Sequence, residues 1–127
     1  MQHERHYTLA EANAIRGWVA GRVRRIQQAS SELAALGHRA DQALAALEEQ
    51  TGGAFPGPEA ARPLLDLSLA LGELDTVEVV LRDVNRGLVD FPAMRNGDEV
   101  YLCWLLDEDE VRFWHEPEAG FAGRQPL

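Results

Sequence analysis

Apolar residues recur at alternating steps of four and three along the first half of the chain, and this spacing constrains the fold more than any other feature. The repeat covers roughly four heptads, which predicts one long amphipathic helix with a coiled-coil-like seam. Its positions are Val19, Val23, Ile26, Ser30, Leu33, Gly37, Ala40, Leu44 and Leu47.

The ends of this helix and a second helix can be placed from local signals. Thr8 and Glu11 have the spacing of a capping box, so helix 1 is predicted over residues 8–50. Glycine and proline dominate the following stretch, which predicts a loop at 51–57. Helix 2 is predicted over 58–76, with an apolar stripe that packs back on helix 1 as an antiparallel hairpin. That stripe is Leu64, Leu67, Leu71 and Leu74.

The remainder of the chain predicts a β-meander over residues 77–116 and a tail over 117–127. Asn96-Gly97 is a type I′ turn signal between alternating segments, and it predicts a tight hairpin. The predicted segments lie near Val77–Leu81, then at Leu88–Phe91, Glu99–Leu106 and Val111–Glu116. The fold class is therefore α+β, in a single domain.

Register sorts the side chains of the meander onto two unlike faces. The Asn96-Gly97 turn sets Asp90 opposite Cys103, and a turn at 107–110 would set Cys103 opposite Trp114. One face is apolar and suits contact with the helices; it carries Val89, Phe91, Val100, Leu102, Trp104, Leu106, Val111, Phe113 and His115. The other mixes polar and aromatic groups, as a ligand or subunit contact does; it carries Asp90, Tyr101, Cys103, Leu105, Arg112, Trp114 and Glu116.

Composition excludes several classes of function. The 127 residues carry a formal net charge of −9, which is the opposite of what nucleic-acid binding requires. Cys103 is the only cysteine, so an intramolecular disulfide is impossible and a reducing compartment is indicated. Residues 1–7 have no apolar core and no run of 18 apolar residues occurs, so a cytoplasmic protein without a membrane span is predicted.

No residue pattern in the sequence identifies a specific reaction. His115 and Glu116 would point to opposite faces of a strand, which favours a packing histidine over a general base. Asp90 lies in an otherwise apolar strand and needs a partner, for which Arg124, Arg112 and Tyr101 are candidates. The acidic run at 107–110 lacks the spacing of a calcium loop and is interpreted as a solvated turn. His3 and His6 precede the helix cap and are interpreted as incidental histidines of a frayed terminus.

Four segments of the C-terminal region resemble the signature of a known bacterial family. They are Gly87-Leu-Val-Asp-Phe-Pro92, Glu99-Val-Tyr-Leu-Cys-Trp104, Phe113-Trp-His-Glu116 and Gly120-Phe-Ala-Gly-Arg-Gln-Pro126. The family is the domain of unknown function numbered 2203. It commonly has a basic residue and a Gly-Glu turn where this chain has Leu105 and Asp107-Glu108. The resemblance implies a helical hairpin with a meander, and it implies no activity.

Two functions stay open at this point. The long seam favours a non-enzymatic binding or assembly domain that forms a homodimer. The alternative is a small-molecule- or metal-binding enzyme, with an unidentified ligand held between the mixed sheet face and the tail. No catalytic residue, metal ligand or cofactor is assigned from the sequence. The predicted ligand-binding residues are Asp90, Tyr101, Trp114, His115, Glu116 and Arg124.

Overall fold

The computed structural model describes residues 2–47 and 57–127, in which two helices are followed by an antiparallel sheet. Helix α1 spans Leu9–Leu47, a length of about 58 Å at 1.5 Å per residue. The capping box before it is confirmed: the Thr8 amide donates to Glu11 Oε1 (2.9 Å) and the Glu11 amide donates to Thr8 Oγ1 (3.1 Å). The predicted end of helix 1 at residue 50, and residues 51–56 of the predicted loop, lie outside the described residues.

The buried side of α1 follows the predicted seam only in part. Val19, Val23 and Ile26 are buried as predicted, whereas Gly37 is exposed. Beyond Ile26, among the residues whose burial the structure describes, the buried positions are Ala29 and Leu36 instead. The predicted seam positions Ala40, Leu44 and Leu47 lie outside those residues. Gly37 lies about five turns after Val19 and therefore on the same side of a regular helix, so the buried side changes along α1. Leu36 lines one groove with Pro63, so this later part of α1 is buried against helix 2.

Helix α2 spans Ala61–Thr76, after a 3₁₀ turn at Pro58–Ala60, and it packs antiparallel on α1. The stripe predicted for this contact is wrong at Leu64 and Leu71, which are exposed. The buried positions of α2 are Pro63, Ala70 and Leu74. Smaller residues at the contact allow the helix axes to lie close together, and four leucines are left on the outside.

The sheet has five antiparallel strands in the order β1-β2-β3-β4-β5, so every neighbour in sequence is also a neighbour in space. The strands are β1 (Val80–Asp83), β2 (Leu88–Arg95), β3 (Asp98–Leu105), β4 (Phe113–His115) and β5 (Gln125–Pro126). The meander prediction is confirmed. The tail also joins the sheet, because β5 pairs with β4 through Phe113 opposite Pro126.

The register between β2 and β3 is the predicted one. Asp90 lies opposite Cys103, and Arg95 opposite Asp98 closes the hairpin. Both turn residues have positive φ, +53° at Asn96 and +84° at Gly97, as a type I′ turn requires.

The register between β3 and β4 differs from the prediction by one residue. Tyr101 lies opposite His115 and Cys103 lies opposite Phe113, so His115 lies on the Asp90 face and Trp114 on the helix-facing side. The sequence prediction was wrong here, because it placed His115 on the helix-facing side and Trp114 on the Asp90 face. The connection between β3 and β4 covers residues 106–112 and is longer than the predicted turn at 107–110. The Leu106 amide still donates to the carbonyl oxygen of Gly87 (3.0 Å), which extends the pairing with the β2 side by one residue.

The hydrophobic core lies between the helices and the sheet. It includes Val19, Val23 and Ile26 of α1, and Phe91 of β2 and Trp104 of β3. Among the described residues, neither helix combines the length and apolarity that crossing a membrane requires.

Candidate functional site

The sheet face that points away from the helices holds a buried carboxylate, Asp90, at its centre. The Nε–H of Arg82 donates to Asp90 Oδ2 (2.8 Å), and His115 Nε2 lies 2.9 Å from Asp90 Oδ1. Asp90 and His115 are both buried, whereas Arg82 is partly exposed and lies between this pair and the solvent. The predicted need of Asp90 for a partner is confirmed. Its cation is Arg82, and not Arg112 or Arg124.

Cys103 completes a compact group with this pair. Potential ligand atoms of Asp90, Cys103 and His115 all lie within 4.8 Å of one another, and all three residues are buried. Burial above all, with a smaller contribution from Asp90, raises the pKa of the Cys103 thiol to about 11 against the opposing effect of Arg124. The thiol is therefore protonated and a poor nucleophile at neutral pH.

Tyr101 connects this group to the N-terminal residues. Its ring lies 5.6 Å from the His115 ring, and the Arg82 guanidinium lies 4.9 Å from its centroid. Its hydroxyl is 2.7 Å from His3 Nε2. Burial, together with the carboxylates Glu99 and Asp90, raises the pKa of Tyr101 although Arg82 acts in the opposite direction. The tyrosine is thus a neutral hydrogen-bonding group at neutral pH.

Residues 2–7 form an N-terminal strap that crosses the edge of this face. Glu78 accepts the amides of Glu4 (3.2 Å) and Arg5 (2.7 Å), and the Tyr7 hydroxyl donates to the Val77 carbonyl (2.6 Å). The strap is therefore held by specific hydrogen bonds, and the interpretation of this segment as a frayed terminus is wrong. Sequence reasoning missed it because its partners lie about 70 residues or more away.

Glu99 is the main anchor of the strap on β3. It accepts the amides of Gln2 (3.0 Å) and His3 (3.1 Å), and His6 Nε2 lies 2.8 Å from its carboxylate. Burial alone would raise the pKa of Glu99, but these hydrogen bonds, that of His6 foremost, lower it to about 2. The carboxylate form is favoured by the folded state.

The E99Q substitution should therefore make the free energy of unfolding less dependent on pH in the acid range. Because the folded pKa is depressed, the stabilisation is complete above the ordinary value of 4.5 and declines as pH falls toward 2. We expect E99Q to lower the free energy of unfolding by about 1–2 kcal/mol at pH 7, and the difference from wild type to shrink below pH 4.5. Urea unfolding at several pH values measures both. E118Q, at an exposed carboxylate, is the control; an E99Q difference that stays constant to pH 2.5 would contradict the assignment.

The tail residue Arg124 belongs to a second, structural group. It pairs with Glu108 and lies 4.1 Å from the centroid of the Phe113 ring. Glu108 also accepts the amide of Leu105 (2.8 Å), and its carbonyl accepts the indole N–H of Trp104 (2.9 Å). Within the acidic run at 107–110, Glu108 is thus a fixed structural carboxylate, which corrects the interpretation of that residue as part of a solvated turn.

The six predicted site residues fall into two places. Asp90, Tyr101 and His115 are in contact on the outer sheet face, and Arg124 lies beside this group, where it pairs with Glu108 and donates to the carbonyl oxygen of Cys103 (3.4 Å). Trp114 and Glu116 line a cavity of about 370 Å³ at the end of the β2–β3 hairpin, where Arg95 lies 4.4 Å from the Trp114 centroid. Sequence reasoning missed Arg82, Glu78 and Glu99, and it interpreted His3 and His6 as incidental. Alternation along β1 from Val80, which pairs with Asp90, was the one available signal for Arg82.

These features define an α+β domain in which a helical hairpin covers one face of a five-stranded meander and an N-terminal strap crosses the edge of the other face. The family described as an uncharacterized conserved protein (DUF2203) matches residues 5–127. The chain therefore belongs to this family, which confirms the resemblance of its C-terminal segments. Neither a curated protein nor a solved structure gives a significant match.

Proposed function

We propose that this protein is a non-enzymatic assembly domain that forms a homodimer through the exposed side of α2. The observation that carries the proposal is a leucine face, made up of the exposed residues between positions 64 and 72. These are Leu64, Leu65, Ser68, Leu69, Leu71 and Gly72.

The leucine face is unusual for a helix in contact with water. The exposed fractions of Leu64, Leu65, Leu69 and Leu71 are 52%, 59%, 52% and 42%. None of the exposed residues from 64 to 72 is charged, although a solvent-facing helix normally carries charged side chains there. A continuous apolar surface of this kind favours a protein contact.

Three of the four charged side chains of α2 are held in ion pairs, two of them with α1, and the fourth, Asp75, is exposed near the end of the helix. Arg62 pairs with Glu32 of α1 and with Asp66 (2.8 Å), and Glu73 accepts from Arg22 of α1 (3.0 Å). These pairs fix the side of α2 that faces α1. The leucine face consequently stays outside the hairpin.

The pattern of the face fits a second copy of the same chain. Around Ser68, leucines lie four and three positions before it, at Leu64 and Leu65, and three positions after it, at Leu71. A two-fold axis near Ser68 would place the leucines before it against those after it in an antiparallel partner helix. The small Ser68 and Gly72 would allow the two helices to approach closely.

The net negative charge of the chain also favours self-association through the leucine face over self-association through other surfaces. Each copy carries a net charge of −9, so two copies repel one another wherever their carboxylates meet. The leucine face brings no charged side chain of its own into the contact. It is a surface on which two acidic copies can pack with little electrostatic cost.

Light scattering coupled to size exclusion tests the proposal. Wild type should have twice the monomer mass of 14.1 kDa at micromolar concentration. The double variant Leu65→Glu/Leu69→Glu should weaken the dimer at least about 100-fold, because it buries two charges without partners in the contact. The matched control is Leu127→Glu, which adds a charge at another exposed leucine (47%) and should leave the mass unchanged.

A specific dimer should form at about 100 µM protein, so a wild-type mass equal to that of the monomer at this concentration would contradict the proposal. A double variant that keeps the dimer mass would contradict it as well. The enzyme alternative has weaker support, since Trp114 and Glu116 line a cavity apart from its other four residues. A cytoplasmic location and a bacterial source stay predictions.

A further inference from the structure

We infer that Asp90, Cys103 and His115 form a binding site for a transition-metal dication of the zinc type. The site lies on the outer sheet face and is independent of the leucine face. Its donors are one carboxylate oxygen, one sulfur and one imidazole nitrogen, a combination that zinc accepts.

The orientation of His115 is that of a metal ligand. Its Nδ1 lies 2.7 Å from the carbonyl oxygen of Glu116, and a carbonyl can only accept, so Nδ1 carries a hydrogen and donates it. In the neutral ring Nε2 then has a lone pair, which points at Asp90 Oδ1 across 2.9 Å. A histidine that donates through one nitrogen to a backbone carbonyl and presents the other is the usual arrangement at metal centres.

Two acceptor atoms at this distance require a hydrogen or a cation between them. A dication at this place replaces the hydrogen and gains a third donor, because Cys103 Sγ lies within 4.8 Å of both. Binding at neutral pH releases the thiol proton and any proton held between His115 and Asp90, and the thiolate and the carboxylate together balance the two charges of the ion.

Arg82 supplies support outside the ligand set. Its Nε–H holds Asp90 Oδ2 at 2.8 Å, which fixes the carboxylate and leaves Oδ1 for the metal. Because the Arg82 side chain is partly exposed, its displacement opens a route to the buried donors.

The donors reach the spacing of a tetrahedral site through small side-chain movements. Ligand atoms around tetrahedral zinc lie roughly 3.3–3.6 Å apart, so Oδ1 and Nε2 must separate by roughly half an ångström. The sulfur, which lies within 4.8 Å of both, must approach them by up to about 1.2 Å. Rotation of the three side chains supplies movements of this size. The sulfur donor favours zinc, cobalt or a similar ion over magnesium and calcium, which prefer oxygen ligands.

Cobalt titration of the full, untagged, chelator-treated protein tests the inference. We expect one Co²⁺ per chain, with the visible absorption of a tetrahedral ion and a sulfur-to-cobalt charge-transfer band in the near ultraviolet, both lost on addition of one equivalent of Zn²⁺. Saturating Zn²⁺, at about 100 times its Kd, should raise Tm by about 10 °C. C103S should lose the charge-transfer band and most of the Tm shift.

The histidine variant H6Q is the control, since His6 is a partly exposed histidine of the same chain outside the proposed ligand set. It should keep the band and the full Tm shift. Absence of cobalt binding to wild type, or a charge-transfer band that survives in C103S, would overturn the inference. Should C103S fail to fold, zinc-edge X-ray absorption of wild type decides: one sulfur in the ligand shell is expected, and a shell of nitrogen and oxygen alone would refute the site.

Discussion

Replacement of Asp90 by alanine is expected to lower the free energy of unfolding by about 3–5 kcal/mol, the usual cost of removing one partner from a buried ionic group. The substitution removes the carboxylate that accepts from Arg82 (2.8 Å) and contacts His115 (2.9 Å). His115 would stay buried with Nε2 unpaired. Since small domains have a total stability of about 5–15 kcal/mol, D90A should be close to unfolding at physiological temperature.

Urea unfolding at neutral pH in the presence of a chelator measures this effect without any contribution from metal. D90N is the matched variant, because its amide can still accept from Arg82 and donate to His115 Nε2; we expect it to lose only about 1–2 kcal/mol. D98A, at the exposed first residue of β3, should stay within about 0.5 kcal/mol of wild type. A D90A variant as stable as D98A would show that the buried group contributes little to folding.

Replacement of Gly87 by alanine should cost about 2–4 kcal/mol, from two causes that act together. Gly87 has φ of +65°, a region that costs a non-glycine residue roughly 1–2 kcal/mol. A Cβ at this position would also lie 2.7 Å from Leu106 Cβ, which forces the chain apart at a close contact. The amide of Leu106 donates to the Gly87 carbonyl there, so movement would also weaken the hydrogen bond just beyond the end of β3.

Two other glycines separate these causes. Gly97 has φ of +84° and no neighbouring atom within 4 Å of the place that a Cβ would occupy, so G97A should show the backbone cost alone, about 1 kcal/mol. Gly17 lies inside α1 with open space around it, and G17A should stabilise the protein by about 0.5–1 kcal/mol. Equal losses in G87A and G97A would contradict the steric role of Leu106. Denaturant midpoints of the three variants give the comparison.

Local signals in the sequence were sufficient wherever a motif fixes geometry by itself. The Thr8-Glu11 capping box placed the start of α1, and Asn96-Gly97 placed the β2–β3 register, so Asp90 opposite Cys103 could be predicted. The position of Asp90 in an apolar strand also indicated a buried polar group. Each of these inferences depends on residues that are close in sequence or joined by a two-residue turn.

The errors occurred where two alternatives fit the local pattern equally well. In α2, two stripes have the same helical spacing, one through Leu64 and Leu71 and the other through Pro63 and Ala70. Tertiary packing buries the stripe with the smaller side chains, Pro63 and Ala70. Between β3 and β4, no turn motif sets the length of the connection, and one residue exchanged the faces of Trp114 and His115. The strap contacts join residues about 70 positions or more apart, and no local pattern predicts them.

Cross-linking through position 68 tests the central claim, self-association through the leucine face, most directly. If a two-fold axis passes near Ser68, S68C places two sulfurs within disulfide reach across the contact, whereas the native Cys103 is buried. Under mild oxidation S68C should convert largely to a covalent dimer, while wild type and the exposed α1 variant S31C should stay largely unlinked. Equal cross-linking of S68C and S31C, or none in S68C, would contradict the proposed dimer.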